Sequence, residues 1–314
     1  MDRFLSIEAF VRVAETQSFA EAARQLGVAK SVVTSRVQHL EEFLAVPLLH
    51  RTTRTVRLSE VGEVFYRDCS ELLGRADALV EHVRDLRGSP AGLLRVHALP
   101  GFVLGHLARV LREFQDRFPA IVLDLVVNDA VVDPVREGFD CALQIFPPSS
   151  DALVERRLFP VRRVFCASPA YLEGRGLPAE PQALAAHRLG LYSRYPTRDR
   201  WVFTSERGQV SLELKPFLRT NSVHLLRDYA LADAGIVCIP TLVAADDILS
   251  GRLQVVLPEH RLSSFWLSAV YPATHRGTFK LRLFLDGVEG SFAGGPRWDQ
   301  QLVEKGLLPA ALLD

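Results

Sequence analysis

Residues 18–44 carry the pattern that most restricts how this chain can fold, because they predict two short helices joined by a tight turn. Ser18 and Glu21 have the spacing of a capping box, in which each side chain bonds a free backbone N–H at the start of a helix. Gly27 is predicted to end that helix, since glycine tolerates the left-handed backbone conformation needed there. A second helix is predicted over about 30–44. Its inward face would carry Val33, Val37 and Leu40, and its outer face Ser31, Thr34, Ser35 and Gln38.

Two structures fit this pattern equally well. One is a helix-turn-helix, whose second helix lies in the major groove of DNA with its N-terminal residues against the base edges. The other is an ordinary helical hairpin with a solvated polar face. The flanking segments favour the first structure, because residues 5–13 predict an amphipathic helix that would complete a three-helix core. After Pro47, which ends the second helix, residues 48–58 predict a small β-hairpin, the wing of a winged helix.

The charge of the chain bears on DNA binding. Its 37 basic and 37 acidic residues leave no overall positive field, so DNA binding would depend on a local basic patch. Residues 30–57 contain five basic and two acidic side chains, and the resulting local charge of +3 is of the kind that phosphate contacts require. A solvated loop is the alternative for the hairpin. The five basic residues are Lys30, Arg36, Arg51, Arg54 and Arg57.

A long helix is predicted after the hairpin, from a cap at Ser59 to about Arg87. Its apolar residues recur at alternating spacings of four and three, which is the seam of a coiled coil. A narrow apolar stripe of this length needs a partner helix, and the chain contains no second heptad segment to supply one. The pattern therefore predicts a dimer in which this helix pairs with its own copy, and packing within one chain is the alternative. The seam consists of Phe65, Cys69, Leu72, Ala76, Leu79, Val83 and Leu86.

Residues 88–92 have the glycine, serine and proline content of a linker, and beyond them strands alternate with helices. That alternation predicts an α/β domain with parallel sheets covered on both faces. Ligands of such folds bind at the carboxyl ends of the strands. The predicted strands are residues 93–98, 121–127, 141–145, 161–167, 236–239, 253–257 and 265–271, and the predicted helices are residues 102–118, 225–232 and 279–292.

Several classes of protein are excluded by what the sequence lacks. The longest apolar run, 234–245, is too short to span a bilayer, and no signal peptide is evident, so neither a membrane protein nor an exported solute-binding protein is predicted. Four scattered cysteines favour free thiols in a reducing cytoplasm over disulfides or zinc, and the nine histidines form no metal-ligand pair. Motifs of hydrolases, metalloproteases and dinucleotide-binding enzymes are missing. We therefore predict a cytoplasmic protein that is not an enzyme and has no metal or cofactor.

In the order of its parts the chain resembles the LysR-type transcriptional regulators over nearly its whole length. The motifs that carry the resemblance are short, and they are specific only in combination. In the N-terminal part they are residues 9–15 (Ala-Phe-Val-Arg-Val-Ala-Glu), Ser18 with Phe19, Ala22 with Ala23, residues 26–28 (Leu-Gly-Val), Leu40 with Glu41, Leu48 with Leu49, residues 51–54 (Arg-Thr-Thr-Arg), and Leu58, Ser59 and Gly62. Further on they are Phe118 with Pro119, Asp133, residues 137–140 (Glu-Gly-Phe-Asp), residues 167–172 (Ala-Ser-Pro-Ala-Tyr-Leu), Asn221, Gly235 with Ile236, and Pro240.

The resemblance implies an α+β multidomain fold. A winged helix-turn-helix DNA-binding domain would occupy residues 1–58, a dimerising linker helix residues 59–88, and an effector-binding regulatory domain residues 89–314. The last domain would be α/β and similar to type 2 periplasmic binding proteins, with two subdomains around a cleft. Subdomain I would comprise about 92–162 and 269–295, subdomain II about 163–268, and the crossing strands would be 161–167 and 265–271.

The resemblance also implies a sequence-specific transcriptional regulator whose DNA binding or assembly responds to a small-molecule effector in the cleft. Its partners would be a palindromic double-stranded operator, an unidentified effector, RNA polymerase, and its own copies in a homodimer or homotetramer. By position, the implied DNA contacts are Lys30, Ser31, Thr34, Ser35, Arg36, Arg51, Arg54 and Arg57. The implied effector contacts are Pro100, Gly101, Phe102, Asn128, Gln144, Phe146, Asn221, Ser222, Val223 and Pro240, with residues 191–197 also facing the cleft. The implied dimer contacts are Phe65, Leu72, Ala76, Leu79 and Val83.

Four positions depart from the residues usual in the family. Ala29 stands where a serine usually caps the recognition helix, and the missing cap costs about 1 kcal/mol. Ser35 replaces a common arginine and Ala45 a frequent glycine, so the DNA sequence that is read cannot be copied from relatives. Gln144 replaces a frequent arginine, which weakens the case for a simple carboxylate effector. Arg194 either supplies a replacement charge or is an ordinary surface arginine. The aromatic side chains around the cleft then favour an apolar or aromatic effector; they are Phe102, Phe146 and Tyr192.

Overall fold

The computed structural model describes residues 2–51, 56–85, 90–148, 150, 152–195 and 200–313. Its N-terminal part contains the predicted three short helices, the hairpin and the long fourth helix. They pack around one hydrophobic core, in which Phe10 of the first helix meets Val33 and Val37 of the third. The elements are α1 (Arg3–Thr16), α2 (Phe19–Leu26), α3 (Lys30–Leu44), β1 (Leu49–Arg51), β2 (Val56–Leu58) and α4 (Glu60–Asp85).

Local capping sets the boundaries of α2. The hydroxyl of Ser18 accepts a hydrogen bond from the backbone N–H of Glu21 at 3.2 Å, and Gly27 follows the helix at φ 66°. Only half of the predicted capping box forms, because the Glu21 carboxylate accepts hydrogen bonds from the side chains of Arg24 and Gln25 instead. The helix therefore begins and ends where the sequence predicts, with one cap bond rather than two.

The predicted hairpin forms between β1 and β2, which pair antiparallel with Leu49 opposite Leu58 and Arg51 opposite Val56. Its tip, residues 52–55, lies outside the described residues, and so does the predicted Arg54 contact. The chain then enters α4 through the predicted cap, since the hydroxyl of Ser59 accepts a hydrogen bond from the N–H of Gly62 at 3.0 Å.

The C-terminal part is built on sheets, whose strands are β3 (Gly92–Ala98), β4 (Ile121–Val127), β5 (Cys141–Gln144), β6 (Leu153–Val161), β7 (Arg163–Ala167), β8 (Leu189–Tyr192), β9 (Arg200–Ser205), β10 (Gly208–Glu213), β11 (Leu218–Thr220), β12 (Ile236–Pro240), β13 (Gln254–Val256), β14 (Arg261–Leu262) and β15 (Phe265–Pro272). One five-stranded sheet has the order β4-β3-β5-β15-β6, and a second has the order β11-β8-β12-β7-β13. A smaller sheet, β10-β9-β14, adjoins the second one.

The prediction of parallel sheets is wrong, because both large sheets are mixed. Strands β4 and β5 lie parallel to β3, whereas β15 is antiparallel to β5 and β6. In the other sheet β8 is parallel to β12, and β7 is antiparallel to it. The antiparallel members are β15 in the first sheet and β7 in the second, and each follows a point where the chain crosses from one sheet to the other. Alternation of strands and helices along the sequence does not reveal them.

The helices that cover the sheets are α5 (Pro100–Phe102), α6 (Ala108–Arg117), α7 (Pro134–Glu137), α8 (Pro169–Arg175), α9 (Val223–Leu231), α10 (Thr241–Leu249), α11 (Phe279–Ser291) and α12 (Arg297–Glu304). The single helix predicted over 102–118 is broken. Leu104 has a ψ of 114° and Gly105 a φ of 92°, which interrupts the helix between α5 and α6. Gly105 permits this break because a glycine has no Cβ to clash at positive φ.

Two crossings join the sheets and define two subdomains, as the resemblance implies. The first is at Arg162, between β6 in subdomain I and β7 in subdomain II. The second is at residues 263–264, so residues 265–268 belong to the sheet of subdomain I rather than to subdomain II as expected. Arg163 ties the crossings together, because its Nη2 donates to the backbone carbonyl of Ser263 at 2.8 Å.

Candidate DNA-binding and effector sites

Helix α3 presents a polar face opposite the core of the N-terminal part. Lys30, Ser31 and Ser35 are exposed, whereas Val33 and Val37 are fully buried and fix the rotation of the helix about its axis. Ala29 precedes the helix and provides no side-chain cap, so the first N–H groups of α3 lack a side-chain acceptor. Hydroxyl groups and free backbone N–H groups at a helix start are the donors that contact base edges and phosphates.

The remaining predicted DNA contacts differ in position: two lie on α3 and are half-buried, and two lie on the strands of the hairpin. Arg36 and Thr34 are half-buried, and the Thr34 hydroxyl donates to the carbonyl of Lys30 at 3.0 Å within the helix. Arg57 is exposed on β2 and also lines a cavity of about 970 Å³ between the N-terminal part and subdomain I. Arg51 lies at the end of β1 beside the hairpin tip.

Helix α4 has two unlike faces. One face packs inside the chain, where Tyr66, Cys69 and Leu73 are buried, and Phe65 contacts the ring of Phe10 with 5.6 Å between centroids. The other face carries exposed apolar side chains, among them Leu72 and Leu79, which are 51% and 65% exposed; Val61 and Val64 are exposed as well.

The predicted seam on α4 is thus divided between these faces. Leu72 and Leu79 point outward, Ala76 is half-buried, and Phe65 and Cys69 contribute to the core of the N-terminal part. Val83 lies within α4, and Leu86 lies outside the described residues.

The N-terminal part also docks on subdomain I of the same chain. The hydroxyl of Thr274, just after β15, donates to the buried carboxylate of Glu15 at 3.0 Å. Beside it, α4 approaches the backbone so closely that a Cβ at Gly74 would lie 3.0 Å from the carbonyl oxygen of Thr274. Two further hydrogen bonds join α7 to this part: Gln25 Nε2 donates to Val135 O at 3.1 Å, and Arg136 Nη2 donates to Gln17 Oε1 at 2.8 Å.

A cleft lies between the two subdomains, and its walls nearly touch. Its volume is about 40 Å³, room for only a few water molecules. Subdomain I contributes the ends of three parallel strands to it: Leu99 follows β3, Asp129 follows β4, and Ile145 follows β5. The other lining residues are Gly101, Phe102, Val161 and Leu267 from subdomain I, and Tyr192, Tyr195, Val223, Pro240 and Leu242 from subdomain II.

The lining of the cleft is mostly apolar. Asp129 is its one charged residue within the described chain, and partial burial raises the pKa of this carboxyl, although the nearby His224 and Arg194 lower it. Burial, with a smaller contribution from Asp129, raises the pKa of Tyr192 to about 12. The hydroxyl of Tyr195 is buried and has no hydrogen-bond partner among the described residues. The cleft therefore offers an apolar surface with few polar groups.

Comparison with known proteins identifies this arrangement. Residues 4–63 match the family described as bacterial regulatory helix-turn-helix protein, lysR family, and residues 87–293 match the LysR substrate binding domain. The chain belongs to the LysR family. As a member of this family it is a DNA-binding transcriptional regulator with a separate effector-binding domain.

Several relatives extend over most of the chain. The HTH-type transcriptional regulator PtxR of Pseudomonas aeruginosa is 32% identical over 280 residues, which is 89% of this chain and 90% of that protein. CrgA of Neisseria meningitidis serogroup C is 32% identical over 88% of this chain and 93% of its own. The solved structure of CrgA from Neisseria meningitidis, at 30% identity, aligns with a TM-score of 0.59 over 91% of this chain and 98% of that one.

Four of the ten effector contacts implied by the LysR resemblance line the cleft: Gly101, Phe102, Val223 and Pro240. The other six lie elsewhere. Gln144 is buried and donates from Nε2 to the carbonyl of Phe146, itself a buried residue, at 3.3 Å. The side-chain oxygen of Asn128 bonds His97 and the N–H of Ala130; Ser222 caps α9, Asn221 is exposed, and Pro100 begins α5.

Sequence reasoning missed several cleft residues that one signal would have found. Leu99, Asp129 and Ile145 follow the carboxyl ends of parallel strands, which is where α/β folds bind ligands. Tyr192 lay within the segment 191–197 assigned to the cleft, of which residues 196 and 197 are outside the described chain. Leu242 and Leu267 carried no local signal, because only the closure of the two subdomains brings them together.

All four cysteines are free and buried, as predicted. Among the described residues, no helix combines the length and the hydropathy needed to cross a bilayer.

Proposed function

We propose that this LysR-family regulator binds a palindromic DNA site as two copies. Each copy would read one half-site with the exposed N-terminal face of α3. The observation that carries the proposal is the exposure of Lys30, Ser31 and Ser35 on a helix whose opposite face is buried. Because Val33 and Val37 lock the helix to its core, the polar face has one orientation toward the groove. A major groove admits an α-helix in this way.

Titration of DNA tests this proposal. The full chain would be added to a fluorescent duplex taken from the region upstream of its own gene, at several salt concentrations. We expect binding that weakens as salt rises, with a slope of about 0.9 for each phosphate contact on a log–log plot. Binding that ignores salt, or no preference over a scrambled duplex, would contradict the proposal.

The proposed assembly is a homodimer or homotetramer joined through α4. Its support is the exposed apolar stripe of Val61, Val64, Leu72 and Leu79, since a row of large apolar side chains in water favours association. Two copies held by this helix would present two copies of α3, which suits the two half-sites of a palindrome.

The proposed effector is a small, largely apolar or aromatic molecule without a carboxylate as its main polar group. Within the described chain, the lining of the cleft has one charged group, and that group is the acid Asp129. Because the cleft holds only about 40 Å³, an effector would enter only as the walls separate. Binding would then favour an open arrangement of the subdomains over the closed one, and the DNA-bound assembly would follow that shift.

A pair of probes of equal shape tests the chemistry of the cleft. Benzamide and benzoate would be compared at millimolar concentration by thermal unfolding of the full chain. We expect benzamide to raise the unfolding temperature more than benzoate does, since the described lining of the cleft offers a carboxylate and no cation. Stabilisation by benzoate alone would contradict the proposed class of effector.

The proposed location and the proposed partner in transcription both follow from a regulator that binds promoter DNA. The regulator would work in the cytoplasm, where the bacterial chromosome lies, and would act on transcription together with RNA polymerase. Catalysis plays no part in the proposal, and its relatives are transcriptional regulators.

A further inference from the structure

The C-terminal tail, residues 297–313, follows the segment that matches the LysR substrate binding domain and contacts both subdomains. Its helix α12 packs against α10 of subdomain II. On the same helix, Trp298 packs into subdomain I, where its ring centroid lies 4.2 Å from His106, 5.8 Å from Phe159 and 5.7 Å from Phe292. One short helix therefore bridges the two halves of the regulatory domain.

The tail is also fastened to the first crossing. Arg162, the residue between the subdomains, donates from Nη1 to the carboxylate of Asp299 at 2.9 Å and from Nη2 to the carbonyl of Leu313 at 2.6 Å. The Asp299 side chain is completely buried, and burial raises the pKa of its carboxyl, while Thr241 and Arg162 oppose this shift. A buried ion pair demands good geometry, so the start and the end of the tail are both held at the hinge.

A second connection runs from this tail to the walls of the cleft. His106 Nε2 lies 2.6 Å from the backbone carbonyl of Leu242, which is a hydrogen bond between subdomain I and subdomain II. His106 lies between α5 and α6, directly after the helix break at Leu104 and Gly105. Leu242 lines the cleft, and so does Phe102, four residues before His106. The bond therefore joins the two walls, and the ring that makes it packs against Trp298.

We propose that the C-terminal tail is a clasp that spans the hinge and, through Trp298 and His106, holds the walls of the cleft in the closed arrangement. The proposal rests on the proposed role of the cleft as the effector site. The clasp resists rotation about the crossings, so an effector must separate the walls against it. Weakening the clasp raises the population of the open arrangement before any effector is present.

Hydrogen exchange of the full-length chain, followed by mass spectrometry without ligand, tests the clasp. His106→Phe keeps an aromatic ring against Trp298 but cannot donate to Leu242, and Asp299→Asn removes the charge that Arg162 pairs with. We expect both variants to exchange about threefold faster or more in the cleft walls, residues 99–107 and 240–249, with α3 unchanged. Glu304→Gln is the matched control, because it removes a carboxylate from the exposed surface of α12 rather than from the buried ion pair.

The outcomes separate the clasp from the other proposals. If His106→Phe and Asp299→Asn are folded and both walls exchange as in the unaltered chain, the clasp is wrong. If Asp299→Asn does not fold, His106→Phe decides alone, since His106 is half-exposed and its replacement keeps a ring. DNA titration of the unaltered chain is independent of these results: failure to bind DNA would overturn the proposed function, whereas the exchange data would still decide the clasp.

Discussion

Thr274 donates a hydrogen bond to the carboxylate of Glu15 at 3.0 Å, and both side chains are buried. Glu15 lies near the end of α1 in the DNA-binding domain, and Thr274 follows β15 of the regulatory domain. Strand β15 begins directly after the second crossing, and its Leu267 lines the cleft. A single strand thus runs from the cleft to the contact that docks the DNA-binding domain.

Replacing Thr274 by valine should loosen that docking. Valine has nearly the shape of threonine but cannot donate, which leaves a buried carboxylate oxygen short of a hydrogen bond at a cost of about 1–3 kcal/mol. We expect faster hydrogen exchange in α1 and a lower free energy of unfolding in urea. Thr204→Val, at a half-exposed position of β9, is the matched control. Equal exchange in α1 for the two variants would show that the bond does not hold the domains together.

An acidic residue at position 34 should weaken specific DNA binding. Thr34→Glu places a carboxylate on the face of α3 that is proposed to meet DNA, where phosphates and base acceptors repel it. We expect affinity to fall by about tenfold or more, the loss of at least one good base contact. Gln209→Glu adds the same charge to exposed β10 of the regulatory domain and should leave affinity unchanged. Unaltered binding by Thr34→Glu would refute the orientation proposed for α3.

Charges in the stripe on α4 should dissociate the assembly. Leu72→Glu combined with Leu79→Glu replaces two exposed apolar side chains, each of which would lose apolar burial worth about 1.5–3 kcal/mol on association. We expect the mass in solution, measured by light scattering, to fall to that of one chain while the fold is retained. Leu177→Glu, at another exposed leucine, is the control. An unchanged mass in the double variant would show that α4 is not the interface.

Removing one partner of the buried ion pair between Arg162 and Asp299 should lower the free energy of unfolding more than removing both partners does. Arg162→Met leaves the Asp299 carboxylate buried without its cation, which costs about 3–5 kcal/mol. Arg162→Met with Asp299→Leu replaces both charges and should recover much of that loss. Urea unfolding of the single and double variants measures the difference. If the double variant is less stable than Arg162→Met, the uncompensated charge is not the cause.

The stability of the single variant Arg162→Met should depend on pH in a definite direction. Burial already raises the pKa of Asp299, and without Arg162 it should rise further. An acid whose pKa is higher in the folded state binds its proton more tightly there. Its unfavourable effect on stability therefore develops as the pH rises from the unfolded pKa to the folded pKa, and it vanishes below the unfolded pKa. The loss of unfolding free energy in Arg162→Met, relative to the unaltered chain, should therefore become smaller as the pH is lowered. A deficit that is constant with pH would point to lost packing instead.

Local sequence patterns determined much of this protein. Ser18, Gly27 and Ser59 mark helix boundaries because their bonds and backbone angles involve neighbours a few residues away. The apolar positions of α3 show which of its faces is polar, since helical periodicity is a local property. The same patterns, with the order of the parts, were enough to recognise the LysR family.

The tertiary structure alone decided how the parts meet. It made the sheets mixed, split the seam of α4 between two faces, and brought Leu242 and Leu267 to one cleft. It also joined Arg162 to Asp299 and Glu15 to Thr274, pairs separated by 137 and 259 residues. Such contacts form when whole elements pack, and no periodicity within one element records its partner. For this reason the sequence determined the helices and strands and the family, whereas the docking of the domains, the cleft and the clasp required the folded chain.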